Sequence, residues 1–332
     1  RNYLEKASQI DSSSILVLNS LGGYYASVQR LDEAEKYYKK SLEIDSTYTS
    51  SLSNLGNIYN TAQRYEEAEK YLKKVIEIDS TFTYAYSALG FVYQQTRRND
   101  EAEKYYKKAI QLDSTYSYTY LSLGLIYKGT RRYEEAEKYL KKATQLDSTF
   151  IYAYLSLGVC YQETKRFKEA RNQYEKIIQL DSTIGPAWVN LGLAFLHTNQ
   201  PEKAEAAFQK TLQLNLNNPF PHPWAYDGLG YLDLQNQRFD KAEEMFKKAL
   251  ELNPNFKDAQ NHLGLLYIIT KRFDEAKSSL DKTLELYPDV YTYLAQWSIK
   301  KNQPEEARKY LEQEFERGIE DGPLKLIDLK EN

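Results

Sequence analysis

The sequence predicts an all-α solenoid in which helical hairpins stack one after another, and two regularities support this prediction. Leu-Gly pairs recur every 34 residues from Leu21-Gly22 to Leu191-Gly192, and again at Leu229-Gly230 and Leu263-Gly264. An alanine follows each of these glycines after twelve residues, from Ala34 to Ala276. A fixed period of this length is the signature of a repeat architecture.

Each repeat has the pattern of two amphipathic helices, as the repeat around Gly90 illustrates. Tyr86 and Tyr93 flank Gly90 at helical spacing, so the first helix presents an apolar stripe with a notch. The second helix contributes Ala102 and Tyr106 to a stripe of its own. Small residues in both stripes let the two helices approach closely. Because one hairpin cannot bury its apolar face alone, it has to stack on its neighbours.

This pattern resembles that of the tetratricopeptide repeat family, whose 34-residue repeats begin with W-x-x-L-G-x-x-Y. Its closest copy in this chain is Trp188-x-x-Leu191-Gly192-x-x-Phe195. The resemblance implies a right-handed superhelix of stacked helix-turn-helix hairpins. Repeats are expected to begin at Ile15, Thr49, Thr83, Ser117, Ile151, Gly185, Pro223 and Lys257, with a degenerate ninth near Pro288.

The repeats divide the chain into four segments. Because the chain begins inside half a repeat, we expect a fragment of a longer protein. The expected segments are 1–14, the second helix of a truncated repeat; 15–184, five near-identical repeats; 185–290, three more divergent repeats with a proline-rich loop at 217–223; and 291–332, a degenerate last hairpin and a C-terminal tail.

Two departures from the family pattern lead to further expectations. Serine preceded by aspartate replaces the usual proline at the early junctions, as at Ser46 and Ser80, and is expected to cap the next helix. The turn inside each hairpin lacks the usual glycine. If that site is left-handed, its residues carry backbone strain, and these are Gln29, Gln63, Arg97, Arg131, Lys165, Asn199, Gln237 and Lys271.

Composition argues against several classes of function. The net charge of −3 favours neither nucleic acid nor an anionic membrane as a partner, and no apolar run reaches the ~20 residues that span a bilayer. The single Cys160 excludes an internal disulfide, fits a reducing compartment and is interpreted as a small buried packing residue. His197, His222 and His262 lack partners at metal-ligand spacing. We therefore expect no catalytic residues, no metal and no cofactor.

The family resemblance implies that the first helices line a concave groove. The residues predicted on that face, and offered as a peptide-binding groove, are Asn54, Asn57, Tyr84, Phe91, Tyr118, Leu121, Leu125, Tyr152, Leu155, Val159, Asn190, Leu193 and Tyr231. A row of apolar side chains in a concavity fits an extended peptide or a partner helix. The same residues could instead pack between neighbouring hairpins, and the sequence leaves this alternative open.

These patterns favour a non-catalytic scaffold that binds an extended or helical segment of another protein. The best-known subtype of the family clamps a C-terminal carboxylate with Lys, Asn and Arg on successive first helices, whereas here Asn54 and Asn190 have no Lys or Arg partner in register. An alternative is that the array is the recruiting arm of a larger enzyme. A third is self-association through the terminal repeats. The Glu/Lys-rich second helices are interpreted as a solvated outer face.

Overall fold

The computed structural model describes residues 14–215, 223–280 and 289–316, and the secondary structure of these residues is entirely helical. The chain divides into two compact halves, 1–164 and 165–332. The helices of the first half are α1 Ile15–Ser27, α2 Leu31–Ile44, α3 Thr49–Thr61, α4 Tyr65–Ile78, α5 Thr83–Gln95, α6 Asn99–Leu112, α7 Ser117–Gly129, α8 Tyr133–Leu146 and α9 Ile151–Glu163. Those of the second half are α10 Phe167–Leu180, α11 Gly185–His197, α12 Pro201–Asn215, α13 Pro223–Gln235, α14 Phe239–Leu252, α15 Lys257–Ile269, α16 Phe273–Leu280, α17 Asp289–Lys300 and α18 Pro304–Glu316.

The predicted all-α solenoid of helical hairpins is confirmed in these residues. Each first helix from α1 to α15 is 13 residues long and begins at the residue where the sequence predicts a repeat to begin. Apart from Ser14 and Pro223, the truncated repeat predicted at 1–14 and the proline-rich loop at 217–223 lie outside the described residues. So does the tail from residue 317 onwards.

Within a hairpin, the two helices meet where the first-helix glycine faces a large side chain of the second helix. A Cβ atom built on Gly90 would lie 2.7 Å from Cδ1 and Cε1 of Tyr106. Only a residue without a side chain allows this approach. The same contact recurs, with Tyr, Leu or Phe as the large residue, at Gly22–Tyr38, Gly56–Leu72, Gly124–Leu140, Gly192–Phe208, Gly230–Phe246 and Gly264–Leu280.

The turn inside each hairpin is left-handed, so the condition under which its residues carry strain is met. All eight non-glycine residues predicted at this site have φ between 55° and 62°. In the third hairpin, the N–H of Arg97 donates to the carbonyl of Gln94, and the N–H of Arg98 donates to the carbonyl of Tyr93 at 2.8 Å. These hydrogen bonds satisfy carbonyls at the end of the first helix and reverse the chain into the second. The turn therefore requires the strained conformation whichever residue occupies it.

The predicted serine caps are wrong. The residue that precedes each first helix from α3 to α9 is aromatic, as at Tyr48 and Phe82, and makes no side-chain capping bond. Ile184 takes this place before α11 and makes none either. Instead, the aspartate before the serine organises the junction: Asp45 Oδ1 accepts hydrogen bonds from the N–H of Thr47 at 2.8 Å and from its hydroxyl at 2.6 Å. Four further junctions repeat this turn, Asp79–Thr81, Asp113–Thr115, Asp147–Thr149 and Asp181–Thr183.

Charged side chains of the second helices join consecutive hairpins, so the interpretation of a merely solvated face was incomplete. Tyr93 of α5 donates a hydrogen bond to Glu69 of α4 at 3.0 Å. Arg98 lies 4.3 Å from the centre of the Tyr93 ring and donates to Glu69 at 2.9 Å and to Glu101 at 3.1 Å. Burial opposes ionisation of Glu69, but hydrogen bonds from Lys73 and Tyr93 outweigh it and hold the pKa of Glu69 below its usual range.

The same arrangement recurs in both halves, which makes it a general feature of the stacked hairpins. An arginine at the start of a second helix covers a tyrosine ring of its own hairpin and bonds a glutamate of the preceding one. The further sets are Arg64, Tyr59 and Glu35; Arg132, Tyr127 and Glu103; and Arg272, Tyr267 and Glu243.

Replacing Gly90 with alanine should destabilise the protein, because the new Cβ collides with the Tyr106 ring. We expect the free energy of unfolding to fall by about 1–3 kcal/mol, the usual cost of overpacking, even though alanine favours the helix. Urea denaturation followed by circular dichroism measures this change. Gly129→Ala is the matched control, since no atom lies within 4 Å of its Cβ position. An equal loss in both variants would contradict the steric explanation.

Replacing Arg98 with alanine should weaken the link between the second and third hairpins. The variant loses the contact with the Tyr93 ring and the pairs with Glu69 and Glu101. Because Arg98 is partly exposed, we expect a loss of about 1 kcal/mol. The control is Arg97→Ala, which alters the adjacent left-handed residue without touching this network. Thermal unfolding compares the two, and a midpoint that falls equally in both would argue against the network.

Candidate functional site

In the first half, neighbouring first helices enclose a cleft of about 540 Å³. Helices α3, α5 and α7 supply most of its walls. We call it the aromatic cleft and define it by Asn57, Asn60, Tyr84, Phe91, Tyr116 and Tyr118. Three of its aromatic side chains are unusually open for their size, since Tyr84 is 42% exposed, Phe91 40% and Tyr118 55%. Large apolar side chains grouped on a surface are typical of interaction sites.

Packing against neighbouring rings holds the tyrosines at one end of the cleft. The centroid of the Tyr118 ring lies 4.5 Å from that of Phe150, which precedes α9 and is itself buried. The Tyr116 ring lies 5.8 Å from Tyr118. Tyr118 therefore packs against Phe150 while more than half of its own surface stays open to solvent. Its orientation is therefore fixed by packing within the chain.

The polar groups of the aromatic cleft are uncharged. Its lining contains no Asp, Glu, Lys, Arg or His. Asn60 lies at the end of α3 and is 9% exposed, and no described residue donates a hydrogen bond to its Oδ1 atom. A buried acceptor of this kind costs about 1–3 kcal/mol while it is unpaired. The cleft thus combines open aromatic rings with uncharged amide and hydroxyl groups, among them those of Asn57 and Ser87.

The fifth residue of a first helix commonly bonds the first helix of the next hairpin. Asn19 Oδ1 accepts a hydrogen bond from Asn54 Nδ2 at 3.0 Å, and the hydroxyls of Ser87 and Thr119 lie 3.0 Å apart. Sequence reasoning placed Asn54 on the groove face and missed this bond. In the sequence, such a bond is indicated by a polar fifth residue in one first helix and a polar residue in the next first helix. This pattern is visible only when two consecutive repeats are compared.

The remaining predicted groove residues differ in their exposure. Tyr152 is 69% exposed, whereas Leu121, at the fifth place of its helix, is only 8% exposed. Leu121 therefore offers little surface to a partner. Intermediate burial is shared by Leu125, Leu155, Val159, Asn190, Leu193 and Tyr231. Of the predicted set, the aromatic cleft brings together Asn57, Tyr84, Phe91 and Tyr118.

In the second half, α11, α13 and α15 line a pocket of about 400 Å³. We call it the acidic pocket and define it by Leu193, Trp224, Asp227, Tyr231, Asp258 and His262. Trp224 is 42% exposed, and its ring meets Phe256 edge to face at 4.6 Å. The pocket therefore contains two carboxylates beside two aromatic rings.

A buried pair, Asp227 and His262, lies in the wall of the acidic pocket. Asp227 is 5% exposed, and its Oδ1 lies 2.8 Å from Nδ1 of His262 on the next first helix. Burial opposes the charged imidazole, but the hydrogen bond to Asp227 and the Asp227 carboxylate outweigh it and raise the pKa of His262. Burial also raises the pKa of Asp227 itself. The imidazole lies between the rings of Tyr231 and Phe246, at 5.2 and 5.6 Å.

Other groups that could carry chemistry have structural explanations. Cys160 is 2% exposed, and burial raises the pKa of its thiol to about 11, which confirms it as a packing residue. Within 14–215, 223–280 and 289–316, no three His, Cys, Asp or Glu residues are grouped so that they could hold a metal ion. In the same residues, every helix is too short or too polar to cross a membrane.

Comparison with known families gives a consistent result over most of the chain. A family model described as tetratricopeptide repeat matches residues 11–81, 46–114, 80–149 and 183–255. A second model with the same description matches residues 127–183 and 233–295. No curated protein matches the chain significantly.

Several solved structures share the fold at low sequence identity. The Cut9–Hcn1 hetero-tetramer of the APC/C is 19% identical over 88% of this chain and 57% of that chain, with a TM-score of 0.60. The C-terminal part of a repeat protein from Cytophaga hutchinsonii is 17% identical over 73% and 98%, with a TM-score of 0.60. The pilF protein of Pseudomonas aeruginosa is 21% identical over 65% and 96%, with a TM-score of 0.55. At these identities the likeness shows the fold alone.

The Asp227–His262 pair predicts an unusual titration of His262. We expect the imidazole to titrate at higher pH than an ordinary histidine, and Asp227→Asn to lower its pKa, because the carboxylate stabilises the cation. NMR titration of the histidine ring protons measures this. Because the folded-state pKa of His262 is raised, its contribution to stability is complete below the ordinary histidine pKa and is lost as pH rises through the raised value. An unchanged titration in the variant would contradict the pairing.

Proposed function

Because this chain belongs to the tetratricopeptide repeat family, whose members typically act as non-catalytic scaffolds that bind other proteins or peptides, we propose that it binds an extended or helical segment of a partner protein along its first helices. The observation that supports this proposal best is the set of open aromatic rings in the aromatic cleft. A scaffold needs a surface whose burial by a partner lowers the free energy of the complex. These rings provide one.

The aromatic rings supply the apolar contact in this proposal. Tyr84, Phe91 and Tyr118 keep about half of their surfaces open to solvent. Covering apolar surface contributes about 25 cal/mol per Å². Aromatic residues also dominate the binding energy of many interfaces, particularly where their own conformation is already fixed. The ring of Phe150 beneath Tyr118 fixes it in this way.

The polar lining of the aromatic cleft favours an uncharged segment. Uncharged polar side chains of the lining, such as Asn57 and Gln95, can form hydrogen bonds with the main chain of the bound segment. A charged side chain would lose its hydration in a lining that contains no charge to compensate it. The proposed occupant of this cleft is therefore a stretch of main chain that carries an aromatic or aliphatic side chain.

The proposed binding surface also includes residues of the second half that the sequence predicted. Leu193 and Tyr231 line the acidic pocket, and Asn190 lies on the same helix as Leu193. Both lining side chains are partly open. We propose that they contact the partner as well.

The test replaces Phe91 with aspartate and measures binding to peptides selected by display against the intact chain. We expect affinity to fall about tenfold or more, because a charge replaces an aromatic anchor. Isothermal titration calorimetry gives the affinities. The matched control is Ile78→Asp, since Ile78 is 41% exposed but lies on a second helix outside the cleft.

Circular dichroism should show equal helicity in the two variants and the parent chain. The proposal fails if Phe91→Asp binds the selected peptides as tightly as the parent. It also fails if Ile78→Asp weakens binding to the same extent, since the loss would then not depend on the cleft.

A further inference from the structure

The two candidate surfaces differ sharply in charge. The lining of the aromatic cleft carries no ionisable group except tyrosine, whereas that of the acidic pocket includes Asp227, Asp258, His197 and His262 and neither Lys nor Arg. Lys and Arg together make up 44 of the 332 residues. The described wall of this pocket therefore concentrates acidic side chains in a chain that is otherwise close to neutral.

The buried carboxylate of Asp227 goes beyond what packing requires. At the same fifth position in the first half, Ser87 bonds Thr119 and Asn19 bonds Asn54, so neutral groups are sufficient to join neighbouring first helices. A buried carboxylate costs several kcal/mol in lost hydration. The pair with His262 offsets this cost only in part, since burial still raises the pKa of Asp227. Burial first, and then the charge of Asp258, raise the pKa of Asp227. A positive charge in the pocket would stabilise the ionised carboxylate of Asp227.

The aromatic residues of the acidic pocket suit the same kind of ligand. Trp224 and Tyr231 line it together with the two carboxylates. The charged end of a lysine or arginine side chain is stabilised by a cation–π interaction over an aromatic face, most strongly over tryptophan. Its alkyl stem can cover apolar surface such as that of Leu193 while the charged end reaches the carboxylates. Carboxylates and aromatic rings in one pocket thus recognise both parts of a basic side chain.

We propose that the acidic pocket binds a lysine or arginine side chain of the partner segment, an assignment that rests on the proposed function. The occupant is then a basic residue in the stretch that lies against α11, α13 and α15. Asp227 and Asp258 pair with its charge, and Trp224 and Tyr231 contact its stem. The chain selects partner segments that carry a positive charge at this point.

The test uses small probes, so it does not depend on knowing the partner. N-acetyl-lysine methylamide and N-acetyl-arginine methylamide are titrated into the intact chain, with N-acetyl-norleucine methylamide as the neutral probe and N-acetyl-glutamate methylamide as the acidic one. The chain has three tryptophans, so the indole N–H signal of Trp224 can be assigned by substitution. The basic probes should shift this signal saturably and leave that of Trp188 unchanged.

Carboxylate variants show whether charge causes the binding. We expect Asp258→Asn and Asp227→Asn each to lower the affinity for the basic probes by about three- to tenfold, as for a partly screened charge pair. Asp240→Asn is the matched control, because Asp240 is exposed on α14 and is not part of the pocket. The variant at Asp258 keeps the test valid if the buried substitution at Asp227 impairs folding.

Three results would overturn the inference: a basic probe that leaves Trp224 unshifted, a neutral or acidic probe that binds as tightly, or basic binding that persists unchanged in Asp258→Asn. None of these results affects the Phe91 test of the aromatic cleft. Conversely, loss of the cleft's function would leave the probe titration unchanged, so the two proposals can fail separately.

Discussion

The rest of the structure depends on the close approach of the two helices within each hairpin. Where Gly90 faces Tyr106, a single added carbon would lie 2.7 Å from the ring, so the helix spacing is fixed by the absence of a side chain. A hairpin built in this way still exposes apolar stripes that it cannot cover by itself. Stacking on the next hairpin covers them, and the need to stack repeats the same contacts along each half.

The two helices of a hairpin differ in the contacts that they make. The second helices carry the pairs that join neighbours, in which Arg98 bridges Glu69 and Glu101 over the Tyr93 ring. These positions vary little between repeats because the partner lies in the adjacent repeat. At the second and ninth residues of the first helices, by contrast, the chain places side chains that stay partly exposed, such as Tyr84 and Phe91. Positions that are alike in all repeats therefore reflect packing, whereas the proposed binding surface is formed where the repeats differ.

Repetition also explains which features the sequence predicted. The helix starts and the left-handed turns at residues such as Gln63 recur in every repeat, so one rule predicts all of them. The serine caps failed because an aromatic residue such as Tyr48 occupies the capping position, and Asp45 organises the junction instead. Bonds such as that between Asp227 and His262, 35 residues apart, depend on how two repeats fit together, and no single repeat contains that information.

The fifth position of the first helices shows how hairpins of one design can differ in chemistry. There, Ser87 makes a neutral bond to its neighbour and Asp227 makes a charged one, within hairpins of the same design. A buried carboxylate reduces stability, but in an array whose repeats contact only their neighbours the cost stays local. One repeat can therefore acquire a charged wall while the others keep their packing. Surfaces of different chemistry can thus arise along one scaffold without a new fold.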